Sequence, residues 1–220
     1  MPARHQTIKS GLGVETRFIG WGAGMTDLDN DGHPDLFFVT GNVYPEIEKK
    51  IERYPYKTPR IIFRNLGNGT FEELFDEGGP AMAELHSSRG CAFGDFDNDG
   101  DVDILIWNMD APPSLLRNDI KAPDRHWLKV KLEGVESNRS AIGGRVTAIY
   151  GGRRQAQEVL SQSSYYSVND WRLHFGLGAS AVADLEVRWP NGKKEVFAKV
   201  AAGALITIRE GKGIVSRQKF

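Results

Sequence analysis

The sequence predicts an all-β chain in which two blade-like repeats precede a small sandwich-like β region. Three observations carry this expectation. An acidic loop recurs in register, each copy leads into an apolar run suited to a strand, and the second half alternates short strands with Gly-rich or Asn-Gly turns. No segment of useful length repeats with helical period.

The first loop, "DLDNDGHPDL" at residues 27–36, carries Asp27, Asp29, Asp31 and Asp35 within nine residues. Four ionised carboxylates so close together repel one another unless a cation or extended solvation offsets them. Counting Asp27 as position 1, Gly32 falls at position 6, where a calcium loop turns sharply, and His33 falls at 7. This many oxygen ligands suits calcium. The helical calcium hand is excluded, because its position-12 Glu is replaced by Phe38 inside the strand-like run "DLFFVT". The motif returns 68 residues later as "DFDNDGDVDILI", with Asp95, Asp97, Asp99, Gly100, Asp101 and Asp103 in matching register. Each copy is followed by an apolar run and then by an Arg-Asn pair, "IIFRN" and "SLLRN". A unit of this kind reads as one blade or hairpin pair of a repeat architecture. In "FRNLGNGTF", at residues 63–71, the Asn68-Gly69 pair signals a tight hairpin.

Between the repeats, "GNVYPEIEKKIERYPYKTPR" places Ile47 and Ile51 one helical turn apart, with Pro45 to open a helix and Pro55 to close it. A short helix over a blade edge or face is expected; the alternative is a lid lined by Tyr44, Tyr54 and Tyr56. A second region begins near residue 123, after a Pro-containing polar link. Its strands are read at "HWLKVKLEG", "GRVTAIYGG", "RRQAQEVLS", "ADLEVRWPNG", "KEVFAKV" and "ALITIREG". The expected organisation is residues 1–122, 123–213 and a tail of 214–220. In "SQSSYYSVNDW", Tyr165, Tyr166 and Trp171 are expected to pack into the core rather than form a recognition patch.

The two loops resemble the FG-GAP or VCBS repeats of integrin-type β-propellers, in which a D-x-D-x-D-G-x-x-D loop joins the first two strands of a blade. The second region is similar to the ASPIC/UnbV domain through "SNRSAIGGRV", "RLHFGLG" and "LEVRWPNG", and in the cartilage acidic protein family that domain directly follows such repeats. The resemblance implies two integrin-type propeller blades, an incomplete propeller, ahead of a β-sandwich-like domain. It implies side-chain ligands at Asp27, Asp29, Asp31, Asp35, Asp95, Asp97, Asp99 and Asp103, with the carbonyls of His33 and Asp101 added and their side chains turned away. The open blade edges need protection by the second region, the charged insertion or a second copy of the chain.

At 220 residues and 40% hydrophobic content the chain can bury real cores. The net charge is −1, the basic residues are scattered, and nucleic acid is not an expected partner. No apolar run is long enough to span a bilayer, and "MPARHQTIKSGLG" lacks the apolar stretch of an export signal. Cys91 stands alone, which excludes an internal disulfide and suits a small buried residue. Neither G-x-S-x-G nor H-E-x-x-H occurs; His5, His33, His86, His126 and His174 do not make a zinc spacing, and His174 is read as a buried, hydrogen-bonded structural residue. The favoured function is a calcium-stabilised recognition or adhesion module that takes a protein or carbohydrate ligand. An enzyme using the propeller face or the inter-domain cleft is the alternative. The resemblance places such calcium loops outside the cytosol, in an extracellular or periplasmic setting, and with no export signal the chain is expected to be the C-terminal part of a longer protein. Isothermal titration should find two equivalents of calcium; zinc-selective binding without calcium would contradict the ligand set.

Overall fold

Each acidic loop joins two antiparallel strands. The computed structural model describes residues 6–120 and 122–220; the first five residues of the stretch read for an export signal, with His5, lie outside the described residues. Strand β1 (Gly20–Thr26) enters the first loop and β2 (Asp35–Thr40) leaves it. A one-turn helix, α1 (Ile47–Lys50), follows, and β3 (Ile61–Asn65) with β4 (Phe71–Glu73) completes a four-stranded sheet in the order β1-β2-β3-β4. The β3–β4 turn is closed by Leu66 N–H on the Thr70 carbonyl, with Asn68 Oδ1 accepting Thr70 N–H. The second blade repeats the plan with β5 (Ser88–Gly94), β6 (Asp103–Asn108) and β7 (Ser114–Leu116).

Alternating side chains give each strand a face to bury, and the two blades bury theirs against each other. Phe37 and Val39 from β2 meet Cys91, Phe93, Ile104 and Ile106, and the Phe37 and Phe93 rings sit edge to face at 5.9 Å. Gly24 makes this approach possible, because a Cβ there would stand 2.2 Å from the Phe93 ring. Burial pushes the Cys91 thiol up to about 12, which leaves it protonated and inert. Two blades do not close a ring.

The second region forms two facing sheets. β8 (His126–Glu133), β9 (Arg145–Tyr150), β10 (Arg153–Glu158), β11 (Leu173–Gly178), β12 (Val182–Arg188), β13 (Lys194–Ala201), β14 (Ala204–Arg209) and β15 (Gly213–Gln218) divide into the orders β10-β9-β12-β13 and β11-β8-β14-β15. Leu128, Phe175, Leu185, Trp189 and Ile206 belong to its separate core. The all-β expectation and the sandwich-like second region therefore stand.

Three local expectations are corrected. The helix of the insertion shrinks to α1, which buries none of its residues, and Ile51 lies exposed; one turn does not repay helix nucleation, so the segment closes on itself through Asn42 Nδ2 to the Pro55 carbonyl and Tyr56 N–H to Glu48. Most of the expected tail is β15, which gains a full partner in β14. Tyr165, Tyr166 and Trp171 are exposed rather than in the core, Tyr166 by 85%. Their segment packs through backbone and small polar groups instead. Ser164 Oγ accepts Ala23 N–H at 2.7 Å, Asn169 Oδ1 accepts Phe93 N–H at 3.2 Å, and Asp170 N–H donates to the Phe93 carbonyl at 2.9 Å. The second region thereby covers the free edges of β1 and β5.

Glu210, at the end of β14, anchors the turn after β8. It accepts the N–H groups of Val135, Glu136 and Ser137 at 2.8–2.9 Å, and Asn191 Nδ2 at 2.6 Å. Burial works to raise this carboxyl, but the bonds from Ser137 and Val135 outweigh it and hold the group down at about 2. The folded state therefore binds fewer protons here than the unfolded chain, and the contribution is present above the ordinary carboxylate range and lost as pH falls towards about 2. Glu210→Gln should cost about 2 kcal/mol at neutral pH, and the gap to the wild type should narrow in melts run below pH 3.

Candidate metal centres

The two loops share one backbone. Asn30 and Asn98, at position 4, take left-handed φ values of 59° and 65°, and Gly32 and Gly100, at position 6, take 86° and 100°. Asparagine tolerates that region and glycine enters it freely, so the repeated N-x-G spacing coils the loop and turns its carboxylates inward. Asp27 Oδ2 and Asp95 Oδ2 accept the N–H of these glycines at 2.7 and 2.9 Å.

Position 9 closes each loop on its own blade. Asp35 accepts Leu28 N–H at 3.0 Å and Asn65 N–H at 2.8 Å; Asp103 accepts Phe96 N–H at 2.9 Å and Asn118 N–H at 2.9 Å. The recurring Arg-Asn pairs thus end on the asparagines that lock strand to loop. Asn65 Nδ2 also reaches the Pro34 carbonyl, and Asn118 Nδ2 reaches the Leu28 carbonyl of the other blade.

Carboxylate oxygens gather within 4.8 Å of one another in both loops, from Asp27, Asp29 and Asp35 in the first and from Asp95, Asp97 and Asp99 in the second. Of the other expected ligands, Asp31 Oδ1 accepts His33 N–H, and Asp103 has each oxygen on a backbone N–H. The His33 ring lies against Gly67, away from the cluster, while Asp101 Oδ1 accepts Asn30 Nδ2 at 2.9 Å and so bridges the loops. Burial first, then the neighbouring acids, pushes Asp27 and Asp101 up to about 7; burial does the same to Asp35. A divalent cation would relieve that repulsion. The donor set fits one: it is all hard oxygen, and Asp95 Oδ1 is buried with no hydrogen-bond partner while Oδ2 is fully engaged.

Both loops are also docked on the second region. Arg125 reaches Asp29 Oδ2 at 2.7 Å, and Lys129 reaches Asp95 Oδ2 at 2.6 Å with both side chains almost fully buried. The position-4 asparagines complete the joint. Asn30 Nδ2 donates to the Gly100 carbonyl and Asp101, so its Oδ1 is left to accept from His174 Nε2 at 2.8 Å; Asn98 Oδ1 accepts Lys129 and Arg172. Burial first, then Lys129, drives His174 down to about 3, which keeps the ring neutral. Gly176 admits the first loop, since a Cβ there would meet Asp27 Oδ2 at 1.9 Å. These partners were missed from sequence, although the asparagines of "DLDNDG", "DFDNDG" and the Arg-Asn pairs recur in register.

The comparisons agree with the fold and the paired loops. An FG-GAP-like repeat model matches residues 27–106 and an ASPIC and UnbV model matches residues 134–215, so the chain resembles these two modules in that order. Among individual relatives it is similar to cartilage acidic protein 1 of Homo sapiens, 28% identical over 189 residues, or 84% of this chain and 27% of that protein. Cartilage acidic protein 1 of Mus musculus is 28% identical over 172 residues, 76% of this chain and 25% of the relative; that of Xenopus tropicalis is 27% identical over 192 residues, 83% and 27%. The chain thus spans about a quarter of the length of the curated relatives it matches.

The buried Lys129–Asp95 pair yields a direct test. Lys129→Met strands a buried carboxylate and should cost about 3 kcal/mol in chelator. Calcium bound in that loop would supply a replacement charge, so denaturant titration should show a smaller loss in saturating calcium; an equal loss in both would count against a cation at Asp95.

Proposed function

We propose that this chain is a calcium-stabilised recognition module of an extracellular protein, with one ion in each acidic loop and the ions structural rather than catalytic. The observation that carries the reading is the pair of carboxylate clusters, which share positions 1 and 3 of their loops, one of them holding the unpartnered buried Asp95 Oδ1. The ion fixes the angle at which β1 meets β2 and β5 meets β6, and it stiffens the surface on which the second region docks. The FG-GAP and ASPIC/UnbV matches and the cartilage acidic protein relatives support an adhesion-type role outside the cell. Protein or carbohydrate is the ligand class this reading favours. Exposed Tyr165 and Tyr166 beside Trp21, with the Arg89 guanidinium 4.5 Å from the Trp21 ring, offer an aromatic surface for it.

Thermal melts of the wild type, Asp31→Ala and Asp99→Ala, each with calcium and with chelator, test the reading. With a dissociation constant near 10 μM and about 1 mM calcium, each site contributes roughly 2.7 kcal/mol. The two losses should not add, because the loops touch through Asn30, Gly100 and Asp101. A wild-type melt that ignores chelator would sink the proposal.

A further inference from the structure

The two blades repeat each other in register, so Asn30 of the first loop corresponds to Asn98 of the second, and Asn65 of "IIFRN" corresponds to Asn118 of "SLLRN". The hydrogen bonds of these pairs do not correspond. Asn65 turns its amide back to the Pro34 carbonyl of its own loop at 2.9 Å, whereas Asn118 sends Nδ2 into the other loop, to the Leu28 carbonyl at 2.6 Å. Asn98 gives its Oδ1 to Lys129 and Arg172 of the second region, whereas Asn30, only 5% exposed, sends Nδ2 across to the Gly100 carbonyl at 3.1 Å and to Asp101 Oδ1 at 2.9 Å. Each blade therefore reaches into the other's loop with an amide whose counterpart is used elsewhere.

Both bridges run between expected ligands. Leu28 N–H donates to Asp35 Oδ2 at 3.0 Å, its carbonyl accepts Asn118 Nδ2, and Asn118 N–H donates to Asp103 Oδ1 at 2.9 Å, so three hydrogen bonds join the position-9 carboxylates of the two loops. Asn30 stands between Asp29 and Asp31. The backbone it holds in the second loop supplies Gly100 N–H to Asp95 Oδ2 and Asp101 N–H to Asp99 Oδ1, both at 2.9 Å. Asp97 and Asp99 are themselves exposed, so they depend on that backbone for their placement. Drawing one loop into its ion-bound shape thus fixes groups on which the other relies, and ordering done for the first ion is not repeated for the second. Direct repulsion between the ions acts with the opposite sign, because a filled loop attracts the second ion less than an empty one does. Salt screens that repulsion, over about 8 Å at physiological ionic strength, and leaves the hydrogen-bonded bridges intact.

We propose, resting on the calcium reading above, that the two loops are one cooperative binding unit in which Asn30 and Asn118 are the positioning residues. Filling either loop tightens the other about tenfold, and the effect is reciprocal, as any coupling between two binding sites must be. The sign identifies the cause. Repulsion alone makes the second ion the weaker one, and only the bridges make it the tighter.

Calcium titration of the full chain against a chromophoric chelator, at constant physiological ionic strength, tests the proposal. The wild type should bind two ions, the second more tightly than the first. Asp31→Ala and Asp99→Ala each silence one loop and should weaken the loop that remains about tenfold. Asn30→Gly removes the bridging amide while keeping the left-handed backbone of residue 30, and Asn118→Ala removes the other bridge through a side chain whose hydrogen bonds all lie within residues 1–122, away from the docked second region. Each should cut the coupling to about threefold. Circular dichroism in chelator checks that both variants fold. Two ions bound independently by the wild type, or a second ion weaker than the first, would overturn the coupling and leave the calcium reading standing. Undiminished cooperativity in either variant would overturn its assignment to these bridges. A chain that takes up no calcium at all would instead remove the calcium reading, and the coupling with it.

Discussion

Carboxylates crowded into two short loops must be neutralised, and the arrangement of the molecule follows from how that is done. Backbone N–H groups take part of the charge, at Gly32 and Gly100 from inside the loops and at Asn65 and Asn118 from the blade hairpins. Arg125 and Lys129 take another part from the second region. Burial first, and the neighbouring acids after it, still push Asp27, Asp35 and Asp101 up to about 7. A bound cation is the one partner that would answer all of these at once without adding bulk.

This distribution explains why the two regions sit against each other although their hydrophobic cores are separate. The joint is polar, with a buried ion pair, a neutral imidazole and asparagine amides, and glycines at 100 and 176 where side chains would collide with the partner. Buried polar contacts of this kind are costly unless every member is satisfied, so they favour one docking geometry over its neighbours. Trp127 illustrates the point: its indole fills the space over Gly100 while its ring stacks on His174.

The blades show a second constraint, that a repeat buries a face only where a neighbour exists. Phe37 and Leu105 occupy equivalent positions, and one is sealed while the other is half exposed. Nothing local distinguishes them. Their fates depend on what stands beside the sheet, which is why the same strand pattern yields a core on one side and an open apolar surface on the other.

From the sequence alone, the all-β class, the positions of the loops, the strands that follow them and the strand-rich second half were legible, because period-two patterning and the D-x-D-x-D-G spacing are local properties. Cys91 was legible for the same reason, as a small apolar-flanked residue in a strand. Tertiary structure alone decided the rest. It paired Lys129 with Asp95 across 34 residues and His174 with Asn30 across 144, separations over which no periodicity carries information. It placed the Tyr165 segment on the edges of β1 and β5, turning expected core aromatics outward, since the backbone groups of an open edge needed partners more than the rings needed burial.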